Sequence, residues 1–145
     1  MAIRVRTVRN TEELALAMRG IGHYFGWAPT AEQVEPMLSY LPLDRMHAAL
    51  DDGRIVAGAG VFPFELTVPG GNQIDSAGVT AVGVLGTHRR RGIISEIMRR
   101  QLAEARDRGE PVAILIASES AIYGRFGYGV SSYLFDYEIY THYRA

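Results

Sequence analysis

Val82-Gly83-Val84-Leu85-Gly86-Thr87-His88-Arg89-Arg90-Arg91-Gly92-Ile93-Ile94 decides the fold of this chain: a β-branched strand passes through a basic, glycine-bounded turn into the start of an amphipathic helix. The first amides of a helix lack intrahelical partners and carry the positive end of its dipole, so together they can donate to a phosphate oxygen. Gly92 carries no Cβ, which lets a bulky pyrophosphate approach the backbone closely. The arginines add charge, and their forked donors match phosphate geometry better than lysine would. The same triplet also reads as a solvated turn ahead of an ordinary helix; its placement between strand and helix favours the anion receptor. No Gly-Lys-Ser/Thr follows, so this is not a nucleotide-triphosphate loop, and the turn holds too few glycines for a dinucleotide fingerprint.

Downstream, Ile94, Ile97, Met98, Leu102 and Ala105 recur at helical spacing, with Glu96, Arg99, Arg100, Glu104 and Arg106 opposite, and Gly109 is placed to stop the helix. Pro111 to Ala117 is a short apolar run that predicts a buried strand; following a helix that follows a strand, it should pair in parallel. Upstream, Met46 to Leu50, the turn Asp51-Asp52-Gly53, Arg54 to Leu66 and, after Pro69-Gly70-Gly71-Asn72, Ile74 to Val84 predict an antiparallel meander. Ile3 to Val8 alternates as a strand. Asn10 with Glu13 then has capping-box spacing, predicting a helix with Leu14, Ala17, Met18 and Ile21 on one side. Gly20 to Trp27 predicts a loop, and Thr30 with Gln33 caps a second helix that Pro36 should bend or restart and Pro42 close. Tyr133 to Tyr140 alternates again and predicts a last strand. The sum is an α/β chain (α+β, mixed sheet): a central, mostly antiparallel sheet with one parallel β-α-β unit.

With 145 residues, 48% of them hydrophobic, the chain suits a single domain over 1–145. Fifteen Lys and Arg against sixteen Asp and Glu give a net charge of -1, which disfavours a nucleic-acid partner and confines any phosphate attraction to one turn. The absence of cysteine excludes disulfides, thiolate metal sites and a cysteine nucleophile, and no histidine-carboxylate spacing suggests a metal. The alternating start is unlike a signal peptide, and no apolar run approaches the ~18 residues of a membrane span. The expectation is a cytoplasmic protein with no membrane partner.

Val84 with Arg89-x-x-Gly92 resembles the acetyl-coenzyme A motif of the GNAT N-acetyltransferase superfamily, departing from it at Ile94, where a small residue is usual. Thr87-His88-Arg89-Arg90-Arg91-Gly92 followed by two aliphatics, Ala117-Ser118-Glu119, and Ile122-Tyr123-Gly124-Arg125-Phe126-Gly127-Tyr128-Gly129 resemble the Eis (enhanced intracellular survival) branch of that superfamily. The resemblance covers about Val79 to Gly129. It implies the acyl-coenzyme A N-acyltransferase fold and acetyl-coenzyme A as co-substrate. Val82, Gly83 and Val84 would bond the pantetheine arm, Arg90, Arg91, Gly92, Ile93, Ile94 and Ser95 would hold the pyrophosphate, and Ser118 and Glu119 would line the cofactor site. Tyr123 takes the place of the branch's general acid. Members of the branch are longer and commonly form hexamers, so the resemblance leaves two readings, the N-terminal part of a longer chain or a single-domain relative, and allows a homo-oligomer.

The chemistry needs these parts. An attacking amine with a lysine-like pKa of ~10.4 must lose a proton, at a cost on the order of 4 to 5 kcal/mol near pH 7. A donor must meet the oxyanion, which a bulge near Gly83 could supply, and a tyrosine hydroxyl can share its proton with the departing thiolate. The base stays unassigned between Glu119 and a water relay. The acceptor, a small-molecule or peptide amine, is lysine-like, a polyamine or an aminoglycoside; the alternative is a coenzyme-binding regulatory domain without catalysis. His23, Tyr24, Phe25 and Trp27 read either as a mobile lid for the acceptor or as a hydrophobic plug between helices. Tyr128 competes with Tyr123, His88 reads as a phosphate-side or solvated residue, and His47 and His142 have no evident partner.

Overall fold

The computed structural model describes residues 3–139. A five-stranded sheet has the order β1-β2-β3-β4-β5, with β1 at Arg4–Thr7, β2 at Met46–Asp51, β3 at Arg54–Thr67, β4 at Gln73–Val84 and β5 at Val112–Ile114. The first four strands pair antiparallel, and β5 runs parallel to β4 because helix α3, Ile93–Asp107, carries the chain back across the sheet. Helices α1, Thr11–Gly22, and α2, Ala31–Val34, cover the other face.

Alternation along β2 separates the two cores. Ala48 packs with Leu14, Ala17, Met18, Val34 and Leu41 on the α1 side, while Ala49 packs with Ile93 and Ile97 on the α3 side. A third cluster under α3 gathers Val61, Ala77, Val79, Met98 and Ala105. Gln101 sits on this buried face and donates to the Ala59 carbonyl at 2.8 Å. Arg45, also buried, donates to the Val61 carbonyl at 3.0 Å and pairs with buried Glu110. Removing one partner of such a pair typically costs about 3–5 kcal/mol. His47 gains a partner the sequence did not reveal: its Nε2 lies 3.1 Å from Glu104. Burial still pushes the imidazole pKa down, with the Glu104 carboxylate opposing.

Both predicted caps form. Asn10 accepts from the Glu13 amide at 3.0 Å, and Thr30 with Gln33 makes a complete capping box. Glu13 turns aside from the reciprocal bond. Its carboxylate takes both Arg6 and Arg9 side chains and the Arg9 backbone amide. These bonds, from Arg6 first, hold its pKa down at about 2 against an ordinary 4.5. A depressed carboxylate contributes stability that is complete above its unfolded pKa and lost as pH falls through the folded one. The stability curve should therefore decline between about pH 4.5 and 2, and Glu13→Gln should be less stable at neutral pH with a flatter acid limb. Urea titrations at several pH values check this, and parallel limbs would remove the assignment.

Three sequence expectations are corrected. Gly20 to Gly22 is helix, the end of α1, and His23–Phe25 forms a 3-10 turn that closes at left-handed Gly26. The glycines there serve close packing: a Cβ on Gly20 would lie 2.7 Å from the Gly83 carbonyl oxygen. Strand β5 is three residues long, not the seven from Pro111 to Ala117, because it pairs only with Ser76, Ala77 and Gly78. Beyond Gly78 the path of β4 changes at a bulge, and Ile116 is left exposed. Residues 133–139 of the predicted last strand are exposed, without ladder partners among the described residues; Tyr140, like His142, lies outside the described residues. The alternation Tyr133, Phe135, Tyr137 and Ile139 is a strand pattern, but a pattern supplies only one side of a ladder. Among the described residues, no helix is long and apolar enough to cross a membrane.

Candidate functional site

The site lies where β4 and β5 part. Parallel pairing ends at Gly78 and Ile114, whereas β4 continues six residues to Val84 with its β5-side edge open. Gly60 faces Thr80 and Gly58 faces Gly83, so Ala59 alone opposes both Ala81 and Val82. This is a bulge, and Ala81 takes a left-handed φ of 52° to make it. The expected bulge is present, two residues earlier than Gly83. Gly83 itself is buried against α1, its absent Cβ leaving room for the Gly20 and Ile21 backbone.

Past the bulge, the amide of Leu85 donates to the Val56 carbonyl at 2.9 Å, and Val84 pairs with Ala57. In an antiparallel ladder this makes Ala57 and Val84 a pair that does not exchange its own bonds, so the Val84 N–H and C=O face the open edge. A linear amide such as a pantetheine arm could pair with them in strand fashion.

The basic turn continues from this edge. After a 3-10 turn at Gly86–His88, Arg90 has φ 63° and Gly92 φ 73°, two left-handed residues that swing the chain into α3. Gly92 is the N-cap and no side chain caps the helix, so the amides of Ile93, Ile94 and Ser95 keep their donor capacity. The arginines divide. Arg91 and His88 both reach Asp51 Oδ2, each at 3.2 Å, while Arg89 and Arg90 are exposed with no carboxylate partner among the described residues. Asp51 was invisible as a site neighbour, since in sequence it is only the first residue of a tight turn and lies forty residues from Arg91.

From the opposite wall, Tyr123 sits between two 3-10 turns, Ser120–Ile122 and Gly124–Phe126, with left-handed Gly127 closing the second. Its carbonyl accepts from the Phe126 amide at 2.9 Å, which fixes the tight turn. The half-buried ring packs against the cluster of Val61, Ala77, Val79, Met98 and Ala105, on which Val82 of the open edge and Ile94 of the first turn of α3 also pack. Burial, then the nearby Glu119 carboxylate, raises its pKa above the ordinary 10. Ser118 and Glu119 themselves are exposed, in the segment that leads from β5 to this turn. Val82, Ile94 and Tyr123 thus all border one apolar cluster.

Tyr128 stacks edge-on against Tyr123 at 6.0 Å, and its hydroxyl is buried with no hydrogen-bond partner among the described residues. Burial, with Tyr123 adding, pushes its pKa up to about 12. A buried hydroxyl without a partner contributes no bond to lose. Tyr128→Phe should therefore change stability by less than about 1 kcal/mol, in either direction. A larger loss in thermal denaturation would reveal an unrecognised partner.

The rings of His23, Tyr24, Phe25 and Trp27 are exposed, so they do not plug the space between helices. Tyr24 reaches the site: its hydroxyl donates to the Val84 carbonyl at 3.3 Å, and the Arg89 guanidinium lies 5.9 Å from its ring centre. No group of three His, Asp or Glu among the described residues is arranged to hold a metal.

The family model for the acetyltransferase (GNAT) domain matches residues 4–131. An uncharacterised N-acetyltransferase of Streptomyces coelicolor is 48% identical over 122 residues, 81% of this chain and 30% of the relative. The N-acetyltransferase Eis of Mycobacterium tuberculosis is 43% identical over 83 residues, 57% of this chain and 21% of the relative. In structure, the Eis1 protein of Mycobacterium abscessus superposes with a TM-score of 0.78 at 37% identity, covering 90% of this chain and 32% of that one. The chain thus spans about a third or less of the length of these relatives.

Proposed function

We propose that this chain, which belongs to the GNAT acetyltransferase domain family, binds acetyl-coenzyme A along the open edge of β4 and transfers its acetyl group to a primary amine. The observation that carries this reading is the convergence of Val82, Ile94 and Tyr123 on one apolar cluster at the point where β4 and β5 separate. It sets a strand edge for an amide-bearing arm, a helix start for a pyrophosphate and a phenol around one apolar cluster.

The outward N–H and C=O of Val84 suit the pantetheine amides. The uncapped amides of Ile93, Ile94 and Ser95, with Arg90 beside them, suit the pyrophosphate. Arg91 would join only by sharing or leaving Asp51. The thioester carbonyl would then lie near the bulge, where a backbone amide of β4 could meet the developing oxyanion. As the carbon-sulfur bond breaks, Tyr123 gives its proton to the sulfur, a role its raised pKa keeps available through neutral and mildly alkaline pH. Ser118 and Glu119 would line the sulfur end, and Glu119, exposed, could pass the amine proton to water. The acceptor is a lysine-like, polyamine or aminoglycoside amine, and the exposed rings of Tyr24, Phe25 and Trp27 favour an ammonium-bearing one.

The test is coenzyme A thiol release from acetyl-coenzyme A across a panel of chemically varied amines. Amine-dependent release is expected. Tight acetyl-coenzyme A binding by calorimetry with no release for any amine would instead describe a binding domain without catalysis.

A further inference from the structure

The geometry points to Tyr24 as a clasp on the open edge of β4, from the α1 side, that competes with the pantetheine arm for the Val84 carbonyl. This rests on the acetyl-coenzyme A reading above. Past the bulge, the Val84 carbonyl faces the open edge, and in this structure it already accepts one bond there, from the Tyr24 hydroxyl at 3.3 Å. The bond joins residues sixty apart and crosses from the 3-10 turn after α1 to the last residue of β4. Any ligand amide donating to that carbonyl competes with Tyr24.

The clasp also touches the basic turn. Arg89, which has no carboxylate partner among the described residues, places its guanidinium 5.9 Å from the Tyr24 ring centre, within the range of a cation-π contact. A phosphate at the start of α3 offers Arg89 a stronger partner than a ring face. Arrival of the pyrophosphate would therefore draw Arg89 away and loosen Tyr24, linking the nucleotide end of the ligand to the opening of its thioester end. Release needs only rotation of the Tyr24 side chain, which is 48% exposed.

Tyr24→Phe separates the two contacts, since it keeps the ring for Arg89 and removes only the hydroxyl. The ligands are acetyl-coenzyme A, which carries the arm, and 3′-phosphoadenosine 5′-diphosphate, which keeps the pyrophosphate and lacks the arm. Calorimetry on the purified protein should show acetyl-coenzyme A binding about two- to fivefold tighter to Tyr24→Phe than to the unaltered chain, the size expected for losing one exposed competing bond. Affinity for the arm-free nucleotide should rise by less, since only the reciprocal of the Arg89 linkage reaches it. Unchanged or weaker acetyl-coenzyme A binding overturns the clasp, as does an equal gain for both ligands. If the unaltered chain binds no acetyl-coenzyme A at all, the functional reading fails first, which is a distinct result.

Discussion

Tyr123→Phe is expected to lower amine-dependent turnover by about 10²- to 10⁴-fold, the usual contribution of one positioned proton donor, while leaving acetyl-coenzyme A affinity within about twofold. The variant keeps the ring, so its packing against the Val61, Ala77, Val79, Met98 and Ala105 cluster and the edge contact with Tyr128 at 6.0 Å persist. What goes is the proton for the departing sulfur. The direction of the pKa shift adds a second test. Burial and Glu119 raise the Tyr123 pKa above 10, so its donor form persists to higher pH than that of a free tyrosine. Any alkaline decline in the rate of the unaltered chain that sets in well below pH 10 must then belong to another group. Initial rates over a pH series, with calorimetric affinities for both proteins, decide it. Unchanged turnover would remove Tyr123 from the chemistry, and a loss in affinity equal to the loss in rate would make it a packing residue.

Much of this was legible in the sequence because the signals were local. Strand alternation in β1, the turns that bound β2 to β4, the caps at Asn10 and Thr30, the break at Pro36 and the stop at left-handed Gly109 each depend on residues a few positions apart. The strand-turn-helix at Val82 to Ile94 was readable for the same reason. What escaped was long-range. The glycines at 20 and 22 argue against helix by propensity, yet they end α1 because tertiary contact with Gly83 and Trp27 needs them bare. Asp51, which captures Arg91 and His88, and Glu104, which meets His47, are far away in sequence and carry no motif. The length of β5 was overestimated because apolar content alone does not tell a strand where its neighbour leaves.

Gly83→Ala is expected to destabilise the chain by about 3 kcal/mol, the upper end for overpacking a well-filled interior, and to abolish acetyl-coenzyme A binding at the same time. A Cβ there would stand 2.3 Å from the Ile21 nitrogen, 2.4 Å from the Gly20 carbonyl carbon and 2.5 Å from its oxygen. All three are backbone atoms, so no side chain can rotate away; the end of α1 must lift from β4. That displacement carries Tyr24 with it and disturbs the strand edge at the residue just before Val84. Gly86→Ala, three residues on in the same segment, is the control: nothing lies within 4 Å of its Cβ position, and its φ is not left-handed. It should change stability by less than about 1 kcal/mol, consistent with a surface glycine in an accessible conformation. Denaturant titration of both variants, with calorimetry on whatever folds, makes the comparison. A Gly83→Ala protein as stable as Gly86→Ala would mean that α1 and β4 are not in backbone contact, and the glycine seam that sets the open edge against the helix would have to be given up.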